Sequence, residues 1–317
     1  MENETLKALI ESVRGIHPHA EITVIEDLFQ KELVHFTIAE DKRKRGFGSD
    51  RVSVTAFRKA YSEFVERKTF LSLAHQQKTS NGFAVHLNDV LAKENAFYEL
   101  VERDALLCSW LAKVPPCWIT DEALIKLAGP KILETRSCLR ARKLDFKIGF
   151  QAQTGDVFTV VGALFSPEGL MGMAIDCKAG KDIPALISAA LDGISFWATI
   201  IMNRLDQTGI ILINDQGQGD WEPSSHFEYY LDKSYLPNWF LSGAQEVLHL
   251  KPFDVHFIEH SISMECAWDL KCVQASSSNF IDYYVGPTPQ NNELIIRRMK
   301  ENFQNLDTFN DEIHPLA

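Results

Sequence analysis

Two acids and an arginine recur at one spacing in this chain. Glu63, Glu66 and Arg67 form one Glu-x-x-Glu-Arg run, and Glu99, Glu102 and Arg103 form another. At about 100° per residue, such a run lies along one side of a helix. Four carboxylates brought together would repel one another unless cations neutralised them. Mg2+ suits such a place, because it is a hard ion that takes oxygen ligands and keeps positions open for phosphate. Arg67 and Arg103 would offer planar, permanently charged forks to phosphate oxygens. The same residues also read as ordinary i,i+4 ion pairs on two solvated helices.

Both runs close a longer repeat. Gly46–Arg67 recurs at Gly82–Arg103, 36 residues on and without a gap. Gly46, Phe47, Val54, Ala56, Ala60 and Val65 each meet their own residue type in the second copy. Two copies are too few for a solenoid. They predict two similar helices, over about 54–73 and 88–112, brought to one place. Ala56 with Ala60, and Ala92 with Ala96, make small faces that permit close backbone approach. An altered third copy follows Pro184, where Ala185, Ala189 and Asp192 keep the spacing and Ser195 stands in the place of Glu66 and Glu102. That helix reads equally well as alanine-rich core.

Around these helices the pattern predicts a surface helix over 4–14, strands over 21–26 and 33–38, and a loop over 41–48. The loop carries Lys42, Arg43, Lys44 and Arg45, either as a solvated cluster or as a phosphate- or peptide-contacting one. Short helices over 121–127 and 131–143 precede strands over 146–151, 157–165 and 170–177. The third-copy helix, a strand at 210–213, a polar loop at 214–225, and strands over 254–259 and 271–276 follow. Strands and helices mixed in this way predict an α/β or α+β fold.

The 317 residues carry a net charge of −11, which argues against nonspecific binding to nucleic acid or an anionic membrane. The N-terminus has no signal-peptide apolar segment, and no apolar run reads as a membrane span, which points to the cytosol. None of the six cysteines forms a Cys-x-x-Cys pair, so reduced thiols are expected. His-Glu-x-x-His and P-loop motifs are absent.

Taken together, these elements resemble the YcaO family. The resemblance rests on the Gly-x-Gly at Gly46 and Gly48, the Ala-x-x-x-Ala-x-x-Glu-x-x-Glu-Arg at 56–67, and Ser80-Asn81-Gly82. The second Glu-x-x-Glu-Arg, the 185–195 helix, and a strand before Tyr283-Tyr284-Val285-Gly286 complete it. It implies mixed sheets flanked by helices, one domain over about 20–317 after a short N-terminal helix, and ATP binding without a P-loop. It implies that Glu63, Glu66, Glu99 and Glu102 hold Mg2+, and that Arg67, Ser80, Asn95 and Arg103 lie near ATP. Asp192 would replace the third helix's usual Glu, and Ser195 its usual Gln. The family often has Gly-Lys-Gly where this chain has Phe47 in the middle, and Lys59 is the candidate for the relocated lysine. The implied activity is ATP-dependent phosphorylation of a peptide backbone amide, foremost as a cyclodehydratase component forming azolines. Thioamide and amidine products remain open. The implied partners are a precursor peptide and a separate peptide-recognition or ubiquitin-activating-like protein, and a homodimer is left open. Phe47, Lys59, Asp192 and Ser195 also admit a non-catalytic or weakly nucleotide-binding scaffold subunit. The chain ends Ile313-His314-Pro315-Leu316-Ala317, a partial match to the family's proline-rich tail.

Overall fold

The computed structural model describes residues 2–73, 80–167, 174–208, 237–281, 288–289, 292–303 and 308–310. The expected strand at 210–213, the loop at 214–225, the Tyr283–Gly286 motif and the tail at 313–317 lie outside the described residues. Backbone proximity divides the chain into two units, Met1–Leu100 with Val255–Ser277, and Val101–Asp254 with Ser278–Ala317.

The first unit opens with α1 (Glu2–Ile16) and an antiparallel sheet of β1 (Glu21–Glu26), β2 (Val34–Ala39) and β3 (Arg45–Asp50). Then come α2 (Ser53–Leu73), β4 (Phe83–His86) and the start of α3 (Asp89–Leu111). A second antiparallel sheet orders β10 (His256–His260), β11 (Lys271–Ser276) and β4. The apolar side of α2, with Phe57, Tyr61, Phe64 and Val65, packs with Phe36 and Ile38 of β2 and Val85 of β4.

The predicted basic loop is corrected here: Arg45–Asp50 is strand. Its glycines are what let it be one, because β3 lies directly on α2. A Cβ at Gly46 would stand 2.1 Å from the Ala60 carbonyl oxygen, and one at Gly48 would stand 2.1 Å from that of Ala56. The small faces of Ala56 and Ala60 therefore receive a strand. Strand β4 was not expected either. Before it, Gly82 takes φ +69°, a left-handed conformation that favours glycine. Helix α3 starts where Asn88 Oδ1 accepts the Val90 N–H at 2.8 Å.

The second unit takes over the rest of α3 and builds a sheet in the order β5 (Cys117–Trp118), β6 (Asp145–Thr154), β7 (Val157–Phe165) and β8 (Ala174–Gly180). β9 (Leu248–Leu250) pairs parallel to β6. Helices α4 (Asp121–Ala128), α5 (Lys131–Arg140), α6 (Ile183–Thr208), α7 (Asn238–Ser242) and α8 (Glu293–Asn302) complete the described elements. The expectation that no apolar run is long enough to span a membrane is corrected by α6, whose Ile183–Asn203 stretch is long and apolar enough. That helix packs on β7 and β8, with Ile187, Ala190, Ile194 and Ala198 fully buried.

The charged residues Asp104 and Arg298 are buried together in this unit. Arg298 Nη2 donates to Asp104 Oδ2 at 2.7 Å and to the Lys251 carbonyl at 2.8 Å, and Ile281 N–H donates to Asp104 Oδ1 at 3.0 Å. All six cysteines are unbridged; Cys108, Cys177 and Cys272 are buried and Cys138 is exposed.

Candidate functional site

In the first unit, the Glu-x-x-Glu-Arg run of α2 lies beside β3. Glu63 Oε2 accepts the Phe47 N–H at 2.8 Å, so a strand backbone fixes one oxygen of the first acid. Glu63 Oε1 lies 3.6 Å from Arg67 Nη2. The same guanidinium donates through Nη1 to Ser80 Oγ at 3.3 Å. Burial works against the charge of Arg67, yet Glu63, Glu66 and Glu99 outweigh it and raise its pKa above the ordinary guanidinium value. Five of the expected residues, Glu63, Glu66, Arg67, Ser80 and Glu99, are thereby one electrostatic cluster.

Lys59 is placed otherwise. Its Nζ donates to Asp50 Oδ2 at 2.7 Å and to the Ser49 carbonyl at 3.1 Å, and its side chain is exposed. Asn95 is exposed on α3.

In the second unit, Glu102 and Arg103 continue α3 one turn beyond Glu99. They meet a pair absent from the sequence reading, Asp176 and Lys178 on β8. Lys178 Nζ donates to Asp176 Oδ1 at 3.0 Å. Burial disfavours the ammonium, but Asp176 and Glu102 overcome this and raise its pKa. Asp176, Lys178, Glu102 and Arg103 all bear on Cys177, whose thiol is pushed well up, chiefly by burial. Asp192 and Ser195 lie on α6 on either side of Gly193, with Ser195 fully buried. Gly193 is where Asp176 packs: a Cβ there would stand 1.9 Å from Asp176 Oδ2. The sequence signal for the pair was Asp-x-Lys, two charges on the same face of a strand just before the third-copy helix.

Every candidate metal donor is a carboxylate or hydroxyl oxygen, a set that fits a hard ion. Among the described residues, however, no group of three or more His, Cys, Asp or Glu side chains could hold a metal ion. Within the first unit Glu63, Glu66 and Glu99 bear on Arg67, and within the second Glu102 and Asp176 bear on Lys178. Glu63 gives one oxygen to a backbone N–H and turns the other towards Arg67.

No family model and no curated protein matches the sequence. Solved structures match the fold. One, "YcaO from Methanopyrus kandleri bound with AMPPCP and Mg2+", is 11% identical at a TM-score of 0.57, over 88% of this chain and 91% of that one. The E. coli microcin synthetase McbBCD complex with pro-MccB17 bound is 12% identical at a TM-score of 0.61, over 82% of this chain and 88% of that one. A heterocyclase in complex with substrate and cofactor matches at 11% identity and a TM-score of 0.55, over 86% of this chain and 52% of the other. The chain has the YcaO fold.

Proposed function

We propose that this YcaO-fold chain binds ATP with Mg2+ and activates a backbone amide of a precursor peptide, as the cyclodehydratase component of a peptide-modifying system. The observation that carries the reading is the Arg67 cluster. Its guanidinium pairs with Glu63, donates to the Ser80 hydroxyl and sits in the field of Glu66 and Glu99, an arrangement able to exchange a carboxylate for a phosphate oxygen. Mg2+ is commonly held by one or two carboxylates together with phosphates and water, so the reading needs no all-protein cage. The neighbouring structures support it in kind, one being bound to AMPPCP and Mg2+ and another to pro-MccB17.

An amide oxygen is a poor leaving group, and phosphorylation makes it a good one. The amide oxygen would bond to the terminal phosphorus of ATP as the bond to ADP breaks. A Cys, Ser or Thr side chain of the peptide would then add to the activated carbon and lose its proton, and inorganic phosphate would leave with the former amide oxygen as the amide nitrogen gives up its own proton and forms the ring C=N bond. Arg67 would bind and orient the phosphates and offset charge on the transferring group. Mg2+ carried with the phosphates would supply further charge neutralisation. Glu63, pinned by the Phe47 N–H, would hold its carboxylate in place without paying to order it at that moment. A separate partner protein would deliver the peptide.

ADP release from ATP and Mg2+, stimulated by a cognate peptide and lost in Glu63→Gln and Glu99→Gln, is the expected result. A second reading, a scaffold subunit with weak or no nucleotide binding, is favoured by Lys59, whose ammonium is engaged by Asp50 and the Ser49 carbonyl. A folded protein that supports a partner's activity while releasing no ADP would establish that reading instead.

A further inference from the structure

Within the first unit, a serine, a histidine and an aspartate that the nucleotide reading leaves unused are hydrogen-bonded in a row. His35 on β2 and Ser49 on β3 stand directly opposite one another in the antiparallel register. Their side chains meet, with His35 Nδ1 2.7 Å from Ser49 Oγ. At the far side of the ring, His35 Nε2 lies 2.8 Å from Asp27 Oδ2. Asp27 is itself held in place, because its Oδ1 accepts the Phe29 and Gln30 N–H groups at 2.7 Å each. A carboxylate only accepts, so the Nε2–H donates to Asp27 and Nδ1 accepts the Ser49 hydroxyl. The His35 and Asp27 side chains are buried, at 1% and 0% exposure, whereas Ser49 is half-buried.

A base beside a serine, and an acid that orients the base, activate the hydroxyl as a nucleophile; the set is recognised by geometry, not by order in the chain. Lys59 Nζ donates to the Ser49 carbonyl at 3.1 Å, so the backbone that carries the hydroxyl is tethered as well. Strand alternation puts Phe47 on the same face as Ser49, and its ring, 38% exposed, offers an apolar surface beside the hydroxyl. We infer that Ser49 is an activated nucleophile that accepts the acyl group of an ester with an apolar acyl chain. Ser49 Oγ bonds to the ester carbonyl carbon as its proton passes to His35 Nδ1. The bond from that carbon to the leaving oxygen then breaks, and that oxygen takes the proton from Nδ1. The products are an acylated Ser49, an alcohol and neutral His35. Asp27 acts through His35, as a positioning residue that holds the ring between the two proton transfers.

The test is reaction of the full chain with an alkyl fluorophosphonate, in which Ser49 Oγ bonds to phosphorus and fluoride leaves. Peptide mass spectrometry is expected to find the phosphonyl group on Ser49 of the folded wild type, and not on Ser49 of the chain unfolded in urea. Ser49→Ala is expected to abolish that label, and His35→Gln to slow labelling about a hundredfold or more, the range for losing a general base. Asp27→Asn is expected to slow it too, with Asp27→Glu recovering part of the rate. Circular dichroism and the unfolding midpoint verify each fold. The Asp27 variants carry the comparison if His35→Gln does not fold, and the wild type with and without urea decides if none of them folds. The inference is overturned if the folded wild type labels Ser49 no faster than the unfolded chain, or if folded His35→Gln labels it at the wild-type rate. The nucleotide-binding reading stands or falls separately, on Mg2+-dependent nucleotide binding.

Discussion

In the first copy of the repeat, Asp50 Oδ1 accepts the Val52 N–H at 3.0 Å; 36 residues on, His86 Nδ1 accepts the Asn88 N–H at 3.2 Å. Two different side chains make the same local turn into α2 and α3. The copies differ in what they then meet. Gly46 serves close packing, with its strand lying on α2, whereas the matching Gly82 serves a turn at φ +69°. After the shared Glu-x-x-Glu-Arg, the first copy has Lys68 and the second has Asp104. Lys68 Nζ reaches Glu40 at 2.5 Å in a pair that keeps some exposure, while Asp104 takes Arg298 in a fully buried one. Arg67 is set among three acids, and Arg103 near an acid–lysine pair. A repeated sequence thus fixes the helix and its entry turn, and the neighbours decide what each copy does.

The largest effect should come from breaking the buried half of this contrast. Asp104→Asn removes the buried anion closest to the Arg298 guanidinium, leaving it only Glu301 at 3.7 Å, and should cost about 3 kcal/mol in denaturant unfolding, whereas Asp104→Leu with Arg298→Met should recover most of that loss. Gly46→Ala should cost about 3 kcal/mol, because its Cβ would meet the backbone of Ala60 and Phe64 rather than a side chain able to move. Lys68→Met, the counterpart of the Asp104 change, should cost only about 1 kcal/mol or less. Near-equal losses for Lys68→Met and Asp104→Asn would erase the contrast between the copies.

The smallest effect should come from the two turns. Burial holds the His86 pKa below the usual 6.5. As pH falls below 6.5 the unfolded chain takes the proton first, so the stability contributed by neutral His86 is present above that value and is lost as pH falls through the folded-state pKa. Asp50 behaves otherwise: burial tends to raise its pKa, but Lys59 and the Val52 N–H outweigh this and carry it below 3.8. Amide hydrogen exchange should therefore show Asn88 losing protection at a higher pH than Val52. His86→Asn should remove that pH dependence.

Much of the helical frame was legible in the sequence, because alanine and acid spacing along α2, α3 and α6 reports a period that packing must respect. Strand β3 was not, since Gly-x-Gly in a basic stretch has the composition of a loop. Only the closeness of α2 explains the glycines. Strand β4 is four residues long, too short to announce a period. At the site, the run that ends in Arg67 was visible as a motif. The Phe47 N–H that holds Glu63 is a backbone group, and no side chain advertises it. Asp176 and Lys178 alternate on an edge strand, where two charges ordinarily mean solvent. Their meaning depends on Gly193, seventeen residues after Asp176 in the chain and in contact with it.

The central claim is that the acids about Arg67 form a seat for metal-bound phosphate. Its most direct test is equilibrium binding of a fluorescent ATP analogue, with and without Mg2+, to the wild type, Arg67→Met and Glu63→Gln. The account predicts Mg2+-dependent binding by the wild type, weakened about tenfold or more by either substitution with the fold intact. Binding by Arg67→Met and Glu63→Gln that matches the wild type would contradict it.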